Sequence, residues 1–350
     1  MKLSIGYQLP EGEADTFLQI VRDFRHHVSE VYFAWGEMPS GRAPMTSRRG
    51  YTDWAAQARV ESDLRAFRAL GVKLDLLLNA NCYGAYAVSQ RLEGQVISLL
   101  DHLREVVEGV EAVTTTSPAI ARTVKRNFPE IEVRASVNMR IGTIKGMEYL
   151  SDLFDGYCVQ RECNRDLAHL RELSDWAEEN RKQLYLLVNS GCLNFCSGQT
   201  FHDNMVAHER ELDEVANIPG WTPHLCWRYF GDRSHWPAAL QNSWVRPEDL
   251  HHYHGLFHTV KLATRMHSRP RLVVQAYAER KHRGNLLDLF EPGLAPAFHP
   301  YIIDNERFPA DWFERTARCD RRCHRCGYCQ EVLDRVLTPV EAEAEALGIE

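Results

Sequence analysis

The sequence predicts an α/β protein folded as a (β/α)8, TIM-barrel-like domain with a small cysteine-rich C-terminal extension. Three observations carry this. Short apolar runs with strand character alternate with amphipathic segments from Lys2 to Arg265, with no obvious linker between them. The alternation repeats eight times, the number a closed parallel barrel needs. Polar side chains collect where the runs end, which is where βα loops begin in such a barrel. A doubly wound open sheet is the alternative arrangement of the same units.

Taken in order, the expected strands are KLSIGYQ (2–8), VSEVYFAW (28–35), VKLDLLLNA (72–80), AVTTTS (112–117), IEVRASVNM (131–139), GYCVQ (156–160), LYLLVNS (184–190) and TVKLATR (259–265). Between them DTFLQIVRDFRHH, ARVESDLRAFRAL, QVISLLDHLREVVEG, PAIARTVKRNF and LAHLRELSDWAEEN place apolar residues at helical spacing. This assigns residues 1–285 to the barrel, with a cysteine-bearing insertion at about 191–258, and residues 286–350 to the extension.

The strand ends read as follows. The second run leads through Trp35 to Glu37, Ser40, Gly41 and Arg42, and the third to Asn79, Asn81 and Cys82. The fourth ends in Thr114, Thr115, Thr116 and Ser117, the fifth in Ser136, Asn138 and Arg140, the sixth in Gln160 and Arg161. The seventh ends in Asn189 and Cys192, the eighth in Lys261, Thr264 and Arg265. Wet loops explain polar residues in general. The repeated Asn, Arg and Lys suit a mouth that binds an anion, so Asn138, Arg140, Arg161, Lys261 and Arg265 are the candidate catalytic and substrate-orienting residues.

With 350 residues, 44% hydrophobic and 25% charged, the composition is that of a globular protein. No run approaches the ~18 apolar residues of a membrane helix, and the N-terminus turns acidic where a signal peptide would turn apolar. A cytoplasmic protein without membrane contact is the expectation. A net charge of -7 argues against general attraction to nucleic acid, although a local basic patch could still act. Reducing cytosol also makes a disulfide framework unsuitable for the ten cysteines.

Their spacing points to metal instead. Cys192 and Cys196 form a C-x3-C pair just past the seventh strand, and Cys226 lies in the same insertion. Thiolates are soft ligands for zinc or iron. Buried, unreactive thiols are the alternative. Cys319, Cys323, Cys326 and Cys329 form C-x3-C-x2-C-x2-C, which suits an iron-sulfur cubane, with a four-cysteine zinc site as the rival. Arg318, Arg321, Arg322 and Arg325 interleave with them, either offsetting thiolate charge, touching a phosphate backbone or simply facing water.

The stretch LLVNSGCLNFCSGQTFHDN, followed by Cys226 and by NSWVRPEDLHHYHGLFHTVKLATR, resembles the collagenase-like peptidase family U32. The matching positions are Asn189, Gly191, Cys192, Cys196, Phe201, His202, Cys226, Arg246, Pro247, Glu248, Asp249, Lys261 and Arg265. The resemblance implies a TIM-barrel-like domain holding a 4Fe-4S cluster. It also implies oxygen-independent hydroxylation or related redox chemistry, on an RNA base or a small anionic or aromatic molecule. An electron donor and a paralogous partner subunit are further implications. The peptidase label is a second reading, although neither a G-x-S-x-G elbow nor an H-E-x-x-H helix is present. A non-catalytic zinc- or cluster-binding module is a third. The insertion supplies three cysteines where the family cluster has four; Cys82 is the expected fourth cofactor ligand, with Cys163 and His202 behind it. The C-terminal four-cysteine segment is an addition to the family pattern, so one or two clusters are expected.

Two further segments carry weaker expectations. HHYHGLFH would place His251, His254 and His258 on one partly exposed helical face beginning near Pro247. SGRAP at 40–44 would form an anion cradle or a plain turn. The final PVEAEAEALGIE reads as a charged helix or tail.

Overall fold

The computed structural model describes residues 1–9, 16–36, 38–41, 53–221 and 224–340. Its eight parallel strands close into a barrel in chain order: β1 (Lys2–Gly6), β2 (Val28–Ala34), β3 (Lys73–Leu78), β4 (Ala112–Thr115), β5 (Glu132–Ala135), β6 (Gly156–Cys158), β7 (Gln183–Leu187) and β8 (Thr259–Leu262). Closure is made by β8 against β1, with Thr259 opposite Lys2 and Leu262 opposite Ile5. All eight expected strands are present. Several stop earlier than their apolar runs, because the chain turns at the rim: Val137–Met139 is a 3-10 helix opened by Ser136, whose Oγ accepts the N–H of Asn138 at 3.3 Å.

The period-two geometry of the strands sorts side chains to two sides of the barrel wall. On β3, Leu74, Leu76 and Leu78 join the apolar layer under the helices, together with Val31 and Phe33 of β2 and Val260 and Leu262 of β8. The opposite face points into the barrel and is charged. Arg134 of β5 reaches Glu30 of β2 at 2.6 Å and its own neighbour Glu132 at 2.7 Å, and lies 3.8 Å from Asp75 of β3. Lys261 of β8 crosses to Asp75 at 3.6 Å, with its ammonium over the ring of Tyr32. Ser4 donates to Glu30, Thr114 to Asp75, and Tyr185 to Glu132. The barrel interior is therefore a polar cluster, and the apolar core is the ring between sheet and helices.

The helices follow local rules. Gln90–Val107 is capped by Ser89, whose Oγ accepts the N–H of Leu92 at 3.1 Å, and it buries Leu92, Val96, Leu99, Leu100, Leu103 and Val107 at helical spacing. It ends at Glu108 and Gly109, both with positive φ, where the Gly109 N–H returns to the Leu103 carbonyl. Pro118–Asn127 begins with Ser117 as cap and proline in its first turn.

The histidine-rich segment departs from expectation. Pro247–Tyr253 is a 3-10 helix that ends at His254, so His254 and His258 lie beyond it instead of sharing an α-helical face with His251. All three are exposed, and the intervening His252 stacks on Phe313 with ring centroids 4.0 Å apart. Of SGRAP, Ser40 and Gly41 are described; Arg42, Ala43 and Pro44 lie outside the described residues, as do Glu37 and the chain after Val340.

Beyond the barrel, β9 (Tyr301–Ile303) and β10 (Leu337–Pro339) form an antiparallel pair that the sequence reading did not anticipate. An aromatic stack ties this region to the insertion between β7 and β8: Phe290, Trp244, Trp312 and Tyr328 follow one another at centroid distances of 5.2, 5.8 and 6.0 Å. Among the described residues no helix is long and apolar enough to cross a membrane.

Candidate functional site

The chain leaving β7 is fixed before it reaches its cysteines. Asn189 donates to the carbonyls of Ala263 and Leu289 and accepts the N–H of Ala263 at 2.6 Å, joining the ends of β7 and β8 to the C-terminal region. Gly191 then passes so close to the following segment that a Cβ would sit 2.4 Å from the carbonyl oxygen of Pro292, a separation only glycine permits. Asn189 and Gly191, both part of the motif, thus have structural roles that set the position of Cys192.

Cys192, Cys196 and Cys226 line one cavity of about 430 Å³, together with His202, His224 and His267. The helix Gln199–Val206 supplies His202, and its ring meets that of His224 edge-on at 4.9 Å. Arg140 tethers the same helix from β5's loop, reaching Thr200 at 3.0 Å and Asp203 at 3.4 Å. Burial pushes the Cys226 thiol up to about 11, with Cys192 and then Cys196 adding to the effect, so the three sulfurs sense one another electrostatically. Arg161, buried at the end of β6, donates to Cys192 Sγ at 3.2 Å and to Ser190 Oγ at 3.4 Å. Burial lowers the pKa of His267, and its Nδ1 accepts the N–H of Arg269 at 3.0 Å, which leaves the proton on Nε2.

The other expected mouth residues are spread over two levels. Arg265 is buried and donates to Ser40 Oγ at 3.1 Å, and Asn138 packs against Gly41, whose N–H donates to Asn79. Lys261 lies deeper, inside the barrel on Asp75. Glu30, Asp75, Glu132 and Arg134 escaped the sequence reading, which looked at strand ends. Their signal was a charged residue at alternate positions within an otherwise apolar strand, as in KLDLLL. Desolvation raises the pKa of Asp75 against the pull of Lys261 and Arg134. Cys158, facing the same cluster, is likewise raised by burial.

Cys82 is not among the residues lining the cysteine cavity. Its thiol is held below the ordinary cysteine value, by His208 first and then by the Gly84 N–H, which donates to Sγ at 3.4 Å. Cys163 packs against Gly142, and burial pushes its thiol up to about 11.

Cys319, Cys323 and Cys329 lie within electrostatic reach of Arg165. This guanidinium lies across Trp244 and Trp312, 5.0 and 5.5 Å from their ring centroids, and donates to the Leu240 carbonyl at 3.0 Å. Burial pushes Cys329 up to about 11, Arg165 opposes this, and Cys323, Cys319 and Cys326 reinforce it. The segment also meets the Cys192–Cys196 loop, since Arg321 sits over the ring of Phe195. Among the described residues no group of three or more His, Cys, Asp or Glu side chains is drawn together tightly enough to hold a single metal ion. A larger cavity, about 690 Å³, is lined by Trp35, Met38, Trp54 and His102 and contains no cysteine.

No family model matches the sequence. Over 330 residues, 93% of this chain and 94% of its relative, it is 22% identical to a Methanocaldococcus jannaschii protein named uncharacterized protease MJ1657. Among solved structures it is similar to the U32 peptidase Mk0906, with a TM-score of 0.51 and 16% identity, covering 75% of this chain and 92% of that one. These likenesses support the resemblance to the U32 family. For the U32-like chain, the shared barrel places β7, β8 and the cysteines between them at one rim of the molecule.

Proposed function

We propose that this U32-like chain is an iron-sulfur enzyme acting on a small anionic or aromatic molecule, or on a single RNA base, at the β7–β8 rim. The observation that carries the reading is the convergence of Cys192, Cys196 and Cys226 on one cavity. Three soft donors there fit a thiolate-ligated group. Sulfurs distributed around a cavity suit the separated corners of a cubane better than the single point of a zinc ion. His202, on the same wall, would complete the set more directly than Cys82. When bound, a 4Fe-4S cluster would supply electron transfer or a Lewis-acidic iron.

The chain's own residues would do the remaining work. Arg161 donates to Cys192 Sγ and so fixes the position of that sulfur. Arg140 holds the His202 helix in place. Arg265, fixed by Ser40, adds positive charge for an anionic ligand. A cavity of about 430 Å³ matches a small molecule or one nucleobase. The four C-terminal cysteines, three of them within electrostatic reach of Arg165, would hold a second cluster or a zinc ion, with an electron donor as partner in the first case.

The test is metal and sulfide content with a visible spectrum on protein purified without oxygen. About eight irons per chain support two cubanes and about four support one. Substituting Cys192, Cys196 and Cys226, or separately Cys319, Cys323, Cys326 and Cys329, assigns the iron to its site. Zinc without iron sinks the redox reading.

A further inference from the structure

The cavity of about 690 Å³ shares no lining residue with the cysteine cavity and has no part in the function proposed above. Two helices face each other across it. From Gln90–Val107 come Gly94, Ser98 and His102, which follow one another at i, i+4 and i+8 on one face. From Trp54–Ala69 come Trp54, Gln57 and Val60. Trp35 and Met38, just past β2, join them from the C-terminal end of a barrel strand, the side on which (β/α)8 proteins bind ligands.

The polar groups of this lining are oriented. His102 Nε2 is 3.0 Å from Glu61 Oε1, which also accepts the Gln57 amide at 2.9 Å, so the ring hydrogen sits on Nε2. Nδ1 is then an acceptor, and among the described residues nothing donates to it. The Trp35 indole meets the same imidazole edge-on with centroids 5.6 Å apart. Trp54 is 72% exposed, an indole face that a ligand would cover. Gly94 lies inside its helix, where glycine is less favourable than alanine, yet a Cβ there would meet nothing within 4 Å. It forgoes helix stability and leaves the cavity wall bare. Charge speaks against an anionic ligand. Arg91 at the rim is engaged by Tyr86, donating to its hydroxyl at 3.4 Å and lying 4.8 Å from its ring centroid, and Asp53 adds a carboxylate.

We propose that this cavity is a second ligand site, for a planar, uncharged aromatic molecule with an N–H donor on its ring. The ring lies against Trp35 and Trp54, its N–H donates to His102 Nδ1, and the bare backbone at Gly94 makes room for it. The volume is that of a small-molecule site. Glu61 is a positioning residue that fixes the imidazole.

The experiment is calorimetric titration of the full chain, purified without oxygen, with indole, 1-methylindole and benzoate. Indole should bind once per chain with a Kd of about 1 mM or below. 1-Methylindole, the same ring without its N–H, should bind about tenfold more weakly, and benzoate not measurably. Gly94→Leu fills the cavity from open space, and is expected to abolish indole binding without lowering the unfolding temperature. Should it lower that temperature, Trp54→Ala, at an exposed side chain, decides by weakening indole about tenfold. His102→Leu should bring indole down to the level of 1-methylindole and leave the latter unchanged. Iron content stays at the parental value in all three variants, because no cysteine lines the cavity, so this site stands or falls apart from the iron-sulfur reading. Indole binding that is absent, that survives both Gly94→Leu and Trp54→Ala, or that keeps its preference over 1-methylindole in His102→Leu overturns the proposal. Benzoate bound as tightly as indole overturns the ligand class.

Discussion

Lys261 of β8 spans the barrel to Asp75 of β3, Nζ to Oδ2 3.6 Å, although these strands are not neighbours in the sheet. The contact defines the interior of the barrel as an ionic chamber in which Asp75, Glu30 and Arg134 are almost fully shielded from water. Two opposing effects meet on Asp75. Desolvation favours its neutral acid, while Lys261 and Arg134 favour the carboxylate, and desolvation is the larger.

A pH dependence follows from that balance. Because the folded chain holds a proton on Asp75 more tightly than the unfolded chain, the stability from this group is complete below the ordinary carboxylate range. It is lost as pH rises through the raised value. Asp75→Asn is expected to remove this loss, so the difference in unfolding free energy between variant and parent shifts in favour of the variant as pH rises from 4 to 8. Urea titrations across that range check it. A difference that stays flat, or shifts the other way, rejects the assignment.

Arg134 should matter more than any surface arginine. Its side chain is 4% exposed and pairs with Glu30, which is equally buried. Arg134→Met leaves the Glu30 carboxylate without its cation, and a loss of about 3–5 kcal/mol in unfolding free energy is expected. Adding Glu30→Gln should recover part of it, because the uncompensated charge goes. A loss below about 1 kcal/mol, the scale of an exposed pair, would show the chamber to be hydrated.

How far these features can be read from sequence depends on the range of the interactions. The barrel was legible because each strand is a local run, and even GYCVQ at β6 sits between segments of helical period. β9 and β10, three residues each, are too short to show a period. Cys192, Cys196 and Cys226 stood out by spacing, and their shared cavity is consistent with that. Lys261 stood out too, but its period-two position does not reveal whether it points to the rim or across the barrel. The Cys82 loop and His208 are far apart in the chain, and only the packing of the insertion brings the His208 ring within 3.9 Å of a Cβ built on Gly84. The 3-10 winding of Pro247–Tyr253 was hidden because Pro247 starts an α-helix equally well.

Gly191→Ala tests the approach of β7 to the C-terminal region. The added methyl would meet the Pro292 carbonyl oxygen at 2.4 Å, and both are backbone-anchored, so the two segments must part. The bridge from Ser190 to Glu291 is then expected to open, with a cost of about 1–3 kcal/mol. If the cavity holds the proposed cluster, displacement of Cys192 lowers the iron content as well. Denaturation and metal analysis on one preparation measure both, and a variant with parental stability would show that the segment shifts freely.

Arg165 acts electrostatically on the C-terminal cysteines. Burial raises the Cys329 thiol pKa, and the neighbouring thiols act in the same direction, whereas Arg165 lowers it. Its guanidinium cannot move away easily, being laid over two indoles and bonded to the Leu240 carbonyl. In metal-free reduced protein at constant pH, Arg165→Gln should slow alkylation of Cys329 by about tenfold or more, as expected when an acid group loses a nearby cation. Arg165→Lys, which keeps the charge and gives up the planar contact with the rings, should restore most of the rate. If both variants slow labelling equally, Arg165 acts through packing on Trp244 and Trp312. If neither does, the four thiols are governed by burial and by one another.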